Sequence, residues 1–436
     1  VHTETQVEAR LKVLLIGSGG REHAMAWKFA QSPKITELLI APGNAGTAEV
    51  GTNVDIGVDD HADIVEFAKN EKIDLVVVAP DQPIVDGLCD LLRQSGITTF
   101  GPSAAAARIE GSKIWSDDLM TKYAIATAES VAFSDSRLAM EYGRSKPTGS
   151  LVVKADGLAA GKGVILPETD DDLDSAIIGM LDHGAFGKSS ASILLAQRMT
   201  GPEASVFAFV DGEHVSAEIA TCDYKRIGEG DVGLNTGGMG AYGPPEFWTE
   251  ELAYQVRTEI LEPTAKALVN ENSSFSGVLY AGLMITDSGP KVIEFNCRLG
   301  DPETQILMPM LESDLLEICL SIGENRLDTQ TVMWSDSPHP FVVAVSDGSP
   351  GSYDTGVEIT GVSEAAEHGV VFHAGTKTDD DEALLTSGGR VLGVTGSGET
   401  ISESRNAAYA GIAMISFAGM KFRRDIAERA IQGDKD

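Results

Sequence analysis

Basic residues are scarce. Lysine and arginine total 33 against 66 acids in 436 residues, a formal net charge of −33. A surface of that sign repels polyphosphate backbones, which argues against DNA or RNA as the main partner. An anionic small substrate must then be gripped by local donors working against the global field. Cysteine is sparse too. Cys89, Cys222, Cys297 and Cys319 lie far apart with no C-x-x-C pair, which argues against a zinc knuckle or a disulfide framework and points to a reducing compartment. No apolar run approaches the ~18 residues of a membrane span. Residues 1–10 lack the apolar centre of a signal peptide and read as a short flexible tail. These absences predict a cytoplasmic protein with no membrane partner. The eight histidines form no H-E-x-x-H and no G-x-S-x-G occurs, so zinc-protease and serine-hydrolase chemistries lack their motifs.

What is present is an ordinary globular composition, 42% apolar and 23% charged, with length for about three domains. Glycine is enriched, at 47 residues, and its scatter through patterned segments suggests tight turns and phosphate loops. The first hundred residues alternate short apolar strands (Lys12-Val-Leu-Leu-Ile16, Glu37-Leu-Leu-Ile40, 73–78, 98–100) with helices over 21–31, 63–69 and 84–93. That rhythm predicts an open parallel sheet binding ligands at the carboxyl ends of its strands. Helices are expected over 109–123, 250–270, 311–322 and 401–417, the last in a separate C-terminal domain. Strands are expected within 132–167, 192–210 and 280–296. The acids Asp170, Asp171 and Asp172 suit the N-terminus of a helix.

Four segments could carry chemistry. After the first strand comes Gly17-Ser-Gly-Gly20-Arg21-Glu22-His23, where glycines let backbone N–H groups approach a phosphate at a helix N-terminus. A dinucleotide site would need glycine in place of Glu22 and an acid after Ile40; both are missing, which leaves a phosphate ligand or a purely structural turn. His23 serves equally as a helix-face residue or a ligand. The segment Lys154-Ala-Asp-Gly157-Leu-Ala-Ala-Gly161-Lys162-Gly163 resembles a P-loop but fails its spacing and lacks the Ser or Thr for magnesium. It is still a lysine-ended strand followed by a small-residue loop with a second lysine, suited to covering a polyphosphate. The loop Asp231-x-Gly233-x-Asn235-Thr-Gly237-Gly238 follows Asp223-Tyr-Lys225 and either turns tightly or admits a ligand close to its backbone. The sharpest constellation is Lys291-Val-Ile-Glu294-Phe-Asn296-Cys-Arg298-Leu-Gly-Asp301-Pro-Glu303. Strand alternation puts Glu294, Asn296 and Arg298 on one face, although Val292 spoils the pattern. A carboxylate and an amide oxygen two residues apart are hard ligands for magnesium shared with phosphates, and the arginine can neutralise a transferring phosphoryl group.

At these residues the chain resembles the glycinamide ribonucleotide synthetase family of the ATP-grasp superfamily. Further shared stretches include Ala41-Pro-Gly-Asn-Ala-Gly-Thr47, Gly111-Ser-Lys113, Val371-Phe-His-Ala-Gly-Thr376 and Gly388-Gly-Arg-Val391. The resemblance implies an α/β fold, α+β in the grasp domains. A Rossmann-like N-terminal domain (11–108) would precede an ATP-grasp large half (109–131 and 200–330), which holds an inserted lid (132–199). A C-terminal cap (331–436) would follow. It implies ATP-dependent joining of glycine to 5-phosphoribosylamine through glycyl phosphate, with ATP and Mg2+ or Mn2+ as cofactors, in a monomer or weak dimer. Lys113 and Lys154 would bind ATP phosphates beneath a mobile loop carrying Gly157, Gly161, Lys162 and Gly163. Gln197 and Met199 would lie along adenine, with Glu203 at the ribose hydroxyls. Glu294 and Asn296 would hold the metal, and Arg298 would stabilise the acyl phosphate. Gly19, Gly20, Arg21, Glu22 and Asn44 would hold the ribose phosphate, while Asp223, Lys225 and Asp301 would face glycine or the amine.

Two departures from the family pattern stand out. Its Glu-Glu-Phe-Leu hinge is here Ala196-Gln-Arg-Met199, and its Gly-Pro-Glu is Ala79-Pro-Asp81. Another ATP-grasp ligase or carboxylase is the competing enzyme reading. A non-catalytic nucleotide-binding regulator is the competing reading of another class, and the intact Glu294, Asn296 and Arg298 speak against it.

Overall fold

The computed structural model describes residues 10–159 and 163–433. Apolar runs such as Val13–Ile16, buried on both faces, produce strands of a parallel sheet covered by helices on each side. Its five strands run in the order Thr52–Asn53, Ile35–Pro42, Leu11–Gly17, Leu75–Val78, Thr99–Phe100, all pairing parallel. The order reverses between Leu11–Gly17 and Leu75–Val78, and the crevice beyond their carboxyl ends is where such sheets bind ligands. The Gly17–Gly20 turn and Asp81 both open onto it.

Two expected helices are each split. Gly87, at φ +90°, separates Asp81–Val85 from Leu88–Gln94. Ser112, extended and accepting from the Trp115 amide, separates Ala104–Gly111 from Lys113–Lys122. The second break puts Lys113 at the first residue of its own helix. The helix expected over 250–270 is a single run with a π turn at Arg257–Leu261. The one expected from 311 starts at Leu315, after the separate helix Thr304–Met310. The last one ends at Ile412 rather than 417.

The second sheet has nine strands. Eight run in the order Gly289–Asn296, Ser276–Thr286, Glu203–Asp211, Ile219–Asp223, Gly240–Gly243, His339–Val345, Arg390–Thr395, Val370–His373, and the ninth, His214–Val215, pairs with Glu203–Asp211 off that path. Because Gly240–Gly243 pairs with His339–Val345, the sheet continues across the boundary expected at 331. A four-stranded sheet, Ser130–Phe133, Ile193–Gln197, Leu151–Ala155 and Val164–Ile165, packs with helices Ser136–Arg144 and Asp170–Leu181 in the segment expected as the lid. The second helix opens with a capping box in which Asp172 bonds back to Thr169, in line with the role expected of its leading acids. The first helix falls in a stretch expected to carry strand-like runs.

N- and C-terminal parts meet at a buried pair of imidazoles. The His373 amide donates to His23 Nδ1 at 2.8 Å, and His373 Nδ1 sits 3.1 Å from Thr376 Oγ1. Burial, aided by His373, pushes His23 down to about 3, and burial pushes His373 to about 4. The unfolded chain protonates both near ~6.5, so between there and about 4 it binds more protons than the folded chain. Stability must therefore fall as pH drops through that window. Urea midpoints at pH 7 and pH 5 test this: His373→Gln should lose less on acidification than the parent, and an equal loss contradicts it.

Candidate active site

The strand Gly289–Asn296 carries the centre. Its register against Ser276–Thr286 slips so that Gly282 faces Glu294 while Leu283 faces Val292, leaving Ile293 as a bulge. The bulge inverts the strand's phase, which is why Val292 is buried although spacing puts it on the polar face. It also frees the Ile293 carbonyl, which accepts from Lys154 Nζ at 2.7 Å. Lys113 Nζ reaches Glu294 Oε2 at 3.1 Å. The two lysines and Glu294 line one cleft with Asp117, Leu194 and Ala196. It lies between the four-stranded sheet and the edge of the large one.

The charges are strongly coupled. The Lys113 ammonium, against the opposing effect of burial and with help from Lys154 and Lys225, holds Glu294 down at about 2. Burial, with Lys113 adding to it and Glu294 opposing, brings Lys154 to about 8. Glu294 is thus an ionised carboxylate among ammonium groups, two residues from the Asn296 amide. Among the described residues no group of three or more His, Cys, Asp or Glu could hold a metal. A cation on Glu294 and Asn296 would complete its shell with phosphate oxygens and water, the usual binding mode of magnesium, so the donor set fits one.

Arg298 is held from several sides. Its NH2 group donates to Glu110 Oε1 at 2.8 Å, Asn296 Oδ1 at 3.3 Å and Asp81 Oδ2 at 3.5 Å. Among the described residues its buried Nε has no hydrogen-bond partner. Asp301 accepts from Gln305 Nε2 at 2.9 Å and pairs with Arg390 at 3.1 Å. Arg390 also donates to the carbonyls of Gly237 and Asp301. The turn 299–305 and loop 17–22 touch directly: Arg21 donates to the Leu299 carbonyl, and a Cβ on Gly20 would meet Gln305 Nε2 at 2.4 Å. Any larger residue at position 20 would displace the Gln305 amide that bonds Asp301.

Several expected residues have partners within the chain. Glu22 accepts from the Gly19 amide and from Arg21 Nε, both at 2.6 Å, so it shapes the loop. Asn44 Nδ2 donates to the Ser18 and His373 carbonyls, joining the loop to the C-terminal part. Glu203 pairs with Lys225 at 2.8 Å, and Lys225 lies 3.7 Å from Asp223. Burial raises Asp223, with Lys225 pulling it back. The Gln197 and Arg198 amides donate to the Glu129 and Ser150 carbonyls, so adenine cannot use those two donors; Met199 follows them. Asp156 accepts from Ser112 Oγ and the Ile114 amide, and Gly157 has φ +123°. Gly161 and Lys162 lie outside the described residues. Gly163 begins the return, its carbonyl accepting from the Ala155 amide.

The sequence alone assigns no role to Glu110, Gln305 or Arg390. Arg390 lies in the shared stretch 388–391, which was a usable signal. Glu110 directly precedes Gly111-Ser-Lys113, and nothing in its own segment marks it as a partner of Arg298.

Models described as the N domain, ATP-grasp (A) domain and C domain of phosphoribosylglycinamide synthetase match residues 11–110, 111–304 and 340–429. The chain belongs to the phosphoribosylglycinamide synthetase family. Full-length relatives agree. A phosphoribosylamine–glycine ligase of Escherichia coli O157:H7 is 47% identical over 98% of this chain and 100% of its own. One from Rhizobium meliloti is 45% identical over 97% and 99%. A crystal structure of phosphoribosylamine–glycine ligase from Thermotoga maritima superposes with a TM-score of 0.83 at 31% identity, covering 95% of this chain and 100% of that one. The biotin carboxylase domain of a Hydrogenobacter thermophilus 2-oxoglutarate carboxylase gives 0.68 at 14% identity over 95% and 92%, a likeness of fold alone. The synthetase family and the ATP-grasp fold are those expected from the sequence.

Proposed function

We propose that this ATP-dependent carboxylate–amine ligase joins glycine to 5-phosphoribosylamine, giving glycinamide ribonucleotide, ADP and phosphate in purine biosynthesis. The observation that carries the reading is the convergence of Lys113, Lys154, Glu294, Asn296 and Arg298 on one edge strand, next to the 17–22 loop.

A carboxylate resists amine attack because oxide is a poor leaving group. A glycine carboxylate oxygen attacks the γ-phosphorus of ATP, forming glycyl phosphate and releasing ADP. The amine of phosphoribosylamine then attacks the carbonyl carbon and loses a proton, and phosphate leaves with the electron pair of the broken C–O bond. Lys113 and Lys154, projecting from a helix start and a lid strand, hold the ATP phosphates. The Gly157 and Gly163 ends of the glycine loop lie beside them, and Gln197 and Met199 run along adenine. Arg298, fixed by Glu110, faces the transferring phosphoryl group. Glu294 and Asn296 hold Mg2+ or Mn2+, which supplies charge neutralisation at the phosphates. Gly19, Gly20 and Arg21, in a loop shaped by Glu22 and Asn44, receive the ribose phosphate at the crevice. Asp223, Lys225 and Asp301 face glycine and the amine, and Glu203 lies within reach of a ribose hydroxyl. Every one of these side chains comes from a single chain, so a monomer or weak dimer has a complete site.

Coupled ADP release, with glycine and fresh phosphoribosylamine omitted in turn, tests the proposal. Sustained release should require both. Equal release without glycine would contradict it.

A further inference from the structure

From Asp223 and Lys225 the chain passes straight into a hairpin, Arg226–Gly228 and Val232–Asn235, and returns through Gly237 to the large sheet. Val232 and Leu234 are 61% and 66% exposed, so little core packing holds the outer strand, and a two-stranded ribbon is marginal by itself. The C-terminal segment supplies what holds it. Arg423 is 1% exposed, a costly burial unless every donor is met. Its NH1 group donates to the Arg226 carbonyl at 3.0 Å and to Asp231 Oδ1 at 2.9 Å, so it grips the base and the tip of the hairpin together. Its Nε and NH2 groups fork onto Asp425 at 2.8 and 2.6 Å. Asp425 in turn accepts from the Gly230 amide at 2.9 Å, and the Arg424 amide donates to Glu229 at 3.1 Å.

The same segment reaches the residue between the two proposed glycine and amine contacts. Tyr224 has the Arg423 guanidinium 4.8 Å from its ring and that of Arg429 at 5.0 Å. Its hydroxyl accepts from the Ala427 amide at 3.0 Å. A planar guanidinium with bonds in fixed directions sets position in a way an apolar side chain of equal volume would not.

We infer that residues 421–429 form a strap, centred on Arg423, that fixes the hairpin and so places the Asp223–Lys225 pair for glycine and the incoming amine. Arg423 is a positioning residue and touches neither. The inference rests on the role proposed above for that pair.

The test uses the full-length enzyme with Arg423→Lys, which keeps the charge and loses the fork, and Asp231→Asn, which weakens one grip. Asp231 sits at φ +57°, a conformation asparagine tolerates, so the second variant keeps the fold if the first does not. Arg423→Lys should raise the glycine KM tenfold or more with the ATP KM within twofold. Hydrogen exchange across 226–238 should quicken while His339–Val345 keeps its protection. Asp231→Asn should act in the same direction, less strongly. Unchanged glycine KM in folded variants, or a parallel rise in both KM values with faster exchange throughout, would overturn the strap. Lys225→Ala separates the two ideas: if it leaves the glycine KM unchanged, the role of the pair fails and the strap's purpose with it; if it raises that KM while the strap variants do not, only the strap fails.

Discussion

Arg298→Gln is expected to lower kcat by about 10³-fold with little change in the ATP KM, the size of loss seen when one preorganised charge is removed from a transition state. Glu110, 4% exposed, lies directly against Arg298. Its Oε1 accepts from Arg298 and its Oε2 from the Cys297 amide, both at 2.8 Å. Glu110 thus aims the guanidinium, and together with Asp81 keeps it charged despite burial. In the proposed role Arg298 acts on the group in transfer, so ground-state nucleotide binding should survive its loss. Removing it also strands Glu110, which should cost about 3–5 kcal/mol of stability, visible as a lower urea midpoint. Arg298→Lys should keep much of that stability and still turn over poorly, since a single ammonium nitrogen cannot both hold Glu110 and present further donors to the phosphoryl group. A Lys variant with parental kcat would contradict the assignment.

The second large effect is expected at Glu294. Glu294→Ala should abolish turnover, by 10³-fold or more, and raise the Mg2+ or Mn2+ concentration for half-maximal rate more than tenfold. Glu294 is the ionised oxygen donor beside Asn296, held near a pKa of about 2 chiefly by the Lys113 ammonium. On the proposed roles, the two lysines would still attract phosphates without it, so nucleotide should bind while the ion that would organise its charge is lost. Normal turnover, or an unchanged metal requirement, would remove Glu294 from the metal site.

Much of this was legible along the chain, and the reasons differ by element. The strands Leu11–Gly17 and Leu75–Val78 declare themselves because burial on both faces demands unbroken apolar runs. The broken alternation at Val292 was visible too, but only the register shift against Ser276–Thr286 shows it to be a bulge that turns the Ile293 carbonyl toward Lys154. The helix Ser136–Arg144 escaped because it is only nine residues long and its fully buried positions are the small Ala139 and Gly143, with Met140 and Tyr142 half-buried beside them. The partners of the charged centre escaped for another reason. Glu110 lies 188 residues from Arg298 and Asp81 lies 217. Local pattern carries no information about pairs that only the meeting of two sheets brings together.

The most direct test follows one oxygen atom. With both carboxyl oxygens of glycine labelled with oxygen-18, attack on the γ-phosphorus and later expulsion of phosphate should leave one labelled atom in each phosphate released and one in the amide carbonyl. Phosphate free of label during normal product formation would contradict passage through glycyl phosphate.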